Sequence, residues 1–182
     1  MRIMSNNNYY ELAEHLAEKF KETFESVNKY GIKKGVDEKG IDDFVEHCAR
    51  LTIASAVVTS PISIAGVPVD IAHTIFQQIR VTLAVIYYKT GTYNPSFRGF
   101  LNIFAMSLGV EMGTTVAARA AHQLVIACMI KVLPQILGRT TVFRLIPIAS
   151  VAVVGTANYL FIKGIGNTLK NINMGDELRE VA

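Results

Sequence analysis

Apolar residues recur at helical spacing along most of this chain. From Tyr9 to Lys29 an apolar stripe repeats every three or four residues, and charged residues fill the other faces. This pattern predicts an amphipathic amino-terminal helix whose stripe packs on the rest of the domain. A glycine-punctuated loop is expected from Gly31 to Gly40, and a second helix near Ile41, where acidic residues favour a helix start.

The sequence changes character after Arg50. The stretch from Leu51 to Val69 has no charged residue, but Pro61, Gly66 and Pro68 interrupt it, so it cannot form one straight helix of membrane-spanning length. We predict two helices joined by a bend. A buried core hairpin is the favoured form, and a re-entrant dip into a bilayer is the alternative.

Helical patterns continue through the next part of the chain. The predicted helices cover residues 68–88, 96–110, 113–132 and 145–162, and the first of them ends at Lys89 and Gly91. The run from Leu145 to Ile162 is uncharged and has the best length for a spanning helix. Its small residues equally suit close packing of one helix on another; they are Ala149, Ala152, Gly155 and Ala157.

These elements predict an all-α fold. We expect a single helical bundle-like domain with a Pro/Gly-broken apolar helical hairpin and an amphipathic amino-terminal helix, since 182 residues suffice for one core. Residues 1–40 form the acidic amphipathic helix and loop, residues 41–170 form an apolar basic helical domain, and residues 171–182 form a polar tail.

Charge is scarce and unevenly placed. Apolar residues make up 51% of the chain and charged residues 18%. Residues 47–170 hold ten basic residues against two acidic ones, a net charge of +8, whereas residues 1–46 carry −3. A basic apolar segment fits contact with anionic lipid headgroups. Nucleic acid ranks well below lipid, because the basic residues are dispersed singly and no nucleic-acid motif is present.

The sharpest feature is a polar stripe on the helix after Pro68. At about 100° per residue, Asp70, His73, Gln77 and Arg80 fall within an arc of roughly 80°, with Gln78 beside them. Buried charge is costly, so the charged members must face water, lipid headgroups or partners on another helix. The plain alternative is the solvated face of a surface helix.

A second polar line follows further along the chain. It contains Glu111, Thr115 and His122, with Arg119 to one side. Asp70 and His73 at i and i+3 resemble half of a di-iron motif, but the middle of the chain lacks the other ligands such a site needs. We therefore expect no metal and no cofactor, and favour an ion-pair network between helices.

Catalytic motifs are missing from the sequence. There is no glycine-rich phosphate loop, nucleophile elbow or C-x-x-C motif, and the apolar region has too few polar groups to favour an enzyme. Cys48 and Cys128 lie in apolar patterns typical of reduced structural cysteines. Met1 to Tyr10 lacks the apolar stretch of a secretory signal, so we expect a cytoplasmic location or one on the cytoplasmic face of the inner membrane.

Three segments resemble the EcsC protein family, bacterial proteins linked to secretion and membrane transport. They are H-C-A-R-L-T-I-A-S-A at residues 47–56, G-V-P-V-D-I-A with Q-I-R and Y-Y-K-T-G within residues 66–91, and I-P-I-A-S-V-A-V-V-G-T-A-N-Y-L-F-I-K-G-I-G at residues 146–166. The segment from Thr59 to Ile64 departs from the family pattern, which is richer in glycine there. The resemblance implies a helical domain that associates with membranes, and it implies no catalytic residues.

Composition and resemblance lead to one expectation of function. We expect a non-catalytic, membrane-associated or lipid-contacting helical accessory protein linked to transport or secretion, with an anionic membrane surface as its partner. The alternative is a soluble helical bundle that forms a homo-oligomer or binds a protein partner, including a membrane protein, through its apolar helices.

Overall fold

The computed structural model describes residues 6–54, 69–109, 123, 125–126, 130 and 150–174. Every regular element in these ranges is an α-helix, which confirms the expected fold class. The helices are α1 (Asn6–Ser26), α2 (Lys29–Lys39), α3 (Ile41–Ala54), α4 (Val69–Thr90), α5 (Phe97–Ser107) and α6 (Ser150–Asn171). The predicted bend at residues 55–68 and most of the predicted helix at residues 113–132 lie outside the described residues.

The prediction of a loop from Gly31 to Gly40 is wrong, because residues 31–39 are helical. The Asn28 side chain caps this helix by accepting a hydrogen bond from the Gly31 backbone N–H at 2.7 Å. Ile32 and Val36 are buried one turn apart in the core. Their burial outweighs the low helix propensity of glycine, and Gly40, with φ of 80°, ends the helix.

Helix α4 lies at the centre of the described helices and contacts α2, α3, α5 and α6. Its aliphatic residues are buried on several faces, which is typical of a core helix. They include Ile75, Ile79, Val81, Leu83, Ala84, Val85 and Ile86. The predicted end of this helix is confirmed, since α4 stops at Thr90 and Gly91 has φ of 74°.

The apolar stripe of α1 packs on α5, as expected. Phe24 and Phe100 have ring centroids 4.6 Å apart, and Phe20 meets Phe104 edge-on at 4.7 Å. Ser96 caps α5 by accepting a hydrogen bond from the Gly99 backbone N–H at 3.1 Å. The α1–α5 contact is therefore an aromatic cluster at one side of the core.

Helices α3 and α6 pack antiparallel. Gly166 lies beside Val45 near the start of α3, and Gly155 lies beside the Ile53 backbone near its end. A Cβ atom at Gly155 would lie 3.3 Å from the Ile53 Cα atom, which shows how closely the two backbones approach. The sequence expectation of close packing through small residues is confirmed at Gly155.

The antiparallel arrangement separates charge from apolar surface. At the end where α3 begins, Lys170 pairs with Asp42 at 2.5 Å, and one turn further Lys163 pairs with Glu46 at 2.9 Å. We call this the charged end. Tyr88 lies there too, because it lines a cavity of about 300 Å³ together with the first residue of α3.

The opposite end of the α3–α6 pair holds uncharged residues. Ile53 and Gly155 lie there, and the Ile53 side chain is 45% exposed. Along the sequence, the uncharged runs 51–69 and 145–162 both include this region. We call Ile53 and Gly155 the apolar end. Among the described residues, no helix combines the length and hydropathy required to cross a bilayer.

Candidate functional site

Three of the predicted site residues on α4 are buried. His73, Gln77 and Gln78 are only 7%, 1% and 0% exposed, and Arg80 is partly buried. The alternative of a solvated surface face therefore does not describe His73, Gln77 and Gln78. Helix α3 covers this face, since Arg80 lies over the ring of Phe44 at 5.4 Å.

A chain of hydrogen bonds links three members of the stripe. Arg80 Nη1 donates to Gln77 Oε1 at 2.9 Å, and Gln77 Nε2 lies 3.1 Å from His73 Nε2. A guanidinium only donates, so the amide oxygen of Gln77 must face Arg80 and its NH₂ group must face His73. His73 Nε2 then accepts, and the ring is neutral with its proton on Nδ1.

The surroundings of His73 favour this neutral form. Burial lowers the pKa of His73, a hydrogen bond with the Leu51 backbone raises it, and the charge of Arg80 lowers it further. His73 is thus a fixed acceptor that orients Gln77, and Gln77 orients Arg80.

Arg80 has no counterion among the described residues. Its guanidinium lies between the rings of Phe44 and Phe76, at 5.4 and 5.9 Å from their centroids. No described carboxylate lies within ion-pair distance of it.

Helix α3 adds two groups beside Arg80. His47 is exposed, and partial desolvation and the charges of Arg80 and Lys39 lower its pKa, which favours the neutral ring. Cys48 is fully buried, and burial raises the pKa of its thiol to about 11, so the thiol stays protonated at neutral pH. We call the two cations Lys39 and Arg80, together with His47, the cationic corner.

Gln78 lies on another face of α4. Thr74, Gln78 and Thr82 follow one another at i, i+4 and i+8, and all three are buried. The Thr82 hydroxyl donates to the Gln78 backbone carbonyl at 2.9 Å. Neither side-chain amide atom of Gln78 has a hydrogen-bond partner among the described residues. Sequence reasoning placed Gln78 beside the stripe and missed this second polar line.

The structure brings together only part of the predicted site. His73, Gln77 and Arg80 form one connected group, whereas the side chain of Asp70 lies outside the described residues. The second polar line, Glu111, Thr115, Arg119 and His122, also lies outside them. Sequence reasoning missed the contribution of α3. The signal was the spacing of Phe44, His47 and Cys48, which places them on one helix face.

The chemistry available at this site is anion contact. Arginine and histidine can hold an anionic group, but the buried Cys48 thiol is protonated and offers no nucleophile. Among the residues that the structure describes, no three His, Cys, Asp or Glu side chains are grouped to hold a metal. A scan against protein-family models, a search of curated proteins and a search of solved structures each found no match.

Proposed function

We propose that this protein is a non-catalytic, membrane-associated accessory protein that contacts anionic lipid through its apolar end. The observation that carries the proposal is the separation of charged and apolar surface along the α3–α6 pair. Ion pairs at Asp42 and Glu46 occupy one end, and the exposed side chain of Ile53 occupies the other. Such a molecule meets a lipid surface end-on, with its ion pairs directed away from the bilayer.

The energies agree with reversible lipid contact. Transfer of one isoleucine side chain out of water contributes about 1.5–3 kcal/mol. Each basic residue near an anionic surface adds about 1 kcal/mol, and residues 47–170 carry a net charge of +8. These contributions sum to a moderate affinity that falls with ionic strength. The resemblance to the EcsC family, with its expectation of transport or secretion and of the cytoplasmic face of the inner membrane, supports the same proposal.

The test is flotation with vesicles containing anionic phosphatidylglycerol in phosphatidylcholine. We expect the protein to float with anionic vesicles at low salt and to be released at high salt. Ile53→Glu places a charge at the apolar end, so its partition coefficient falls at least about tenfold.

Tyr88→Glu is the matched control. Tyr88 is 58% exposed and Ile53 is 45% exposed, but Tyr88 lies at the charged end. This variant retains most of the binding if the apolar end is the contact. Equal losses in both variants, or no flotation of the wild-type protein with anionic vesicles, contradict the proposal. A monodisperse oligomer that does not bind vesicles and that dissociates on Ile53→Glu favours the soluble self-associating bundle instead.

A further inference from the structure

We propose that the cationic corner formed by Lys39, His47 and Arg80 binds a phosphate-type anion, either free phosphate or the phosphate of a lipid headgroup. In its lipid form this inference rests on the proposed function and names the group that the protein recognises. In its free-phosphate form it stands alone, because the argument uses only the contacts of Arg80 and its neighbours.

The guanidinium of Arg80 has a fixed position and donors to which the described residues offer no acceptor. A guanidinium carries five N–H donors, and among the described residues only Gln77 accepts a hydrogen bond from it, at Nη1. The rings of Phe44 and Phe76 flank the guanidinium, and its hydrogen bond to Gln77, which is oriented by His73, fixes its position. A preorganised arginine is suited to phosphate, whose oxygens accept two parallel hydrogen bonds.

His47 of α3 and Lys39 of α2 share the electrostatic environment of Arg80. Phe44 and His47 lie one turn apart on the α3 face that meets Arg80, and His47 is exposed. Lys39, the last residue of α2, is exposed and has no carboxylate partner among the described residues. In contrast, Lys33, Lys34 and Lys163 all pair with carboxylates. Desolvation and then the charges of Arg80 and Lys39 lower the pKa of His47, so the potential at His47 is positive, and a bound anion offsets it.

The position of the corner fits a lipid phosphate. His47 and Ile53 are six residues apart on α3, which is about 9 Å along the helix axis. Apolar faces of interfacial helices reach about 5–10 Å into the boundary between headgroups and acyl chains. When the apolar end enters that boundary, the cationic corner lies near the level of the headgroup phosphates.

The experiment is calorimetric titration of the full chain with inorganic phosphate. We expect saturable binding that Arg80→Gln weakens at least about tenfold, since a hydrogen bond to a charged group is lost. Arg50→Gln is the control, because it removes the same charge from an exposed arginine that pairs with Glu46 on the side of α3 facing α6. Unchanged binding in Arg80→Gln, equal weakening in both variants, or no saturable binding of phosphate overturns the proposal.

A second variant and a second assay separate the possible failures. If Arg80→Gln loses helicity, His47→Gln replaces it, because His47 is exposed, and binding weakens by about threefold. Flotation of Arg80→Gln then distinguishes the two phosphate sources. Loss of both phosphate binding and flotation identifies a headgroup site, whereas loss of phosphate binding alone identifies a site for free phosphate. Phosphate binding by a wild-type protein that does not float removes the proposed function and leaves this inference standing.

Discussion

Gln78 and Gln77 are adjacent on α4, both are buried, and their side chains have opposite hydrogen-bonding states. Gln77 bonds to Arg80 and lies against His73, whereas the amide of Gln78 has no partner among the described residues. A buried amide without partners is destabilising by about 1–3 kcal/mol, so the two glutamines are expected to contribute to stability with opposite signs.

This difference gives a prediction at the residue scale. Gln78→Leu removes the unpartnered amide, so we expect the free energy of unfolding to rise by about 1–3 kcal/mol. Gln77→Leu leaves Arg80 and His73 without their partner, so we expect it to lower the free energy by a similar amount. Urea unfolding followed by circular dichroism measures both. A larger loss in Gln78→Leu than in Gln77→Leu shows that the Gln78 amide is in fact satisfied.

At the scale of elements, close contact between α3 and α6 depends on glycine. A Cβ atom at Gly166 would lie 2.6 Å from Val45 Cγ1, so any larger residue forces the two helices apart. Gly164 is on the same helix, is exposed, and has no neighbouring atom within 4 Å of an added Cβ. Glycine is thus required by packing at one position and only tolerated at the other.

Alanine substitutions at these two glycines test the packing. We expect Gly166→Ala to destabilise the protein by about 1–3 kcal/mol through overpacking. Gly164→Ala is expected to stabilise it by up to about 1 kcal/mol, because alanine has the higher helix propensity and reduces the entropy of the unfolded chain. Thermal unfolding of both variants gives the comparison, and destabilisation of equal size in the two contradicts the observed α3–α6 contact.

At the scale of the whole molecule, one carboxylate joins helices distant in sequence. Glu46 of α3 accepts hydrogen bonds from Arg50 at 2.8 Å and from Tyr159 at 3.0 Å, and pairs with Lys163 at 2.9 Å. Lys163, Arg50 and Tyr159, in that order, lower the pKa of Glu46 from its usual 4.5 to about 2. The pKa of Asp37 is lowered as well, because its carboxylate accepts hydrogen bonds from Lys33 and from Tyr87. Tyr87 belongs to α4, so this carboxylate links α2 to α4.

The lowered pKa of Glu46 makes stability depend on acid. A carboxylate whose pKa is lower in the folded state stabilises the protein above its unfolded pKa and loses that contribution as the pH falls through the folded value. We therefore expect the urea midpoint of unfolding to decrease as the pH is lowered from about 4.5 to about 2. The decrease is expected to be smaller in Glu46→Gln. Glu25→Gln, an exposed carboxylate on α1, is the control. An identical pH dependence in Glu46→Gln and wild type contradicts the role of Glu46.

Local patterns predicted much of this molecule. The period of apolar residues identified α1, α3, α4 and α5, and Lys89 with Gly91 identified the end of α4. These signals act within a few residues, through side-chain direction, capping and backbone conformation, so they are readable without knowledge of the neighbours. The prediction of a loop at the glycine-rich segment that forms α2 was wrong, because this helix depends on the burial of Ile32 and Val36.

Periodicity placed Asp70, His73, Gln77 and Arg80 on one side of a helix, but it carries no information about what packs against that side. Only the tertiary structure shows that Phe44 of α3 covers Arg80 and that His73 and Gln77 are buried. The angle of a residue around its helix is a local property, and so are the hydrogen bonds that link His73, Gln77 and Arg80 within α4. The contact of Arg80 with Phe44 joins residues more than thirty positions apart, because free energy depends on contacts in space rather than on order along the chain.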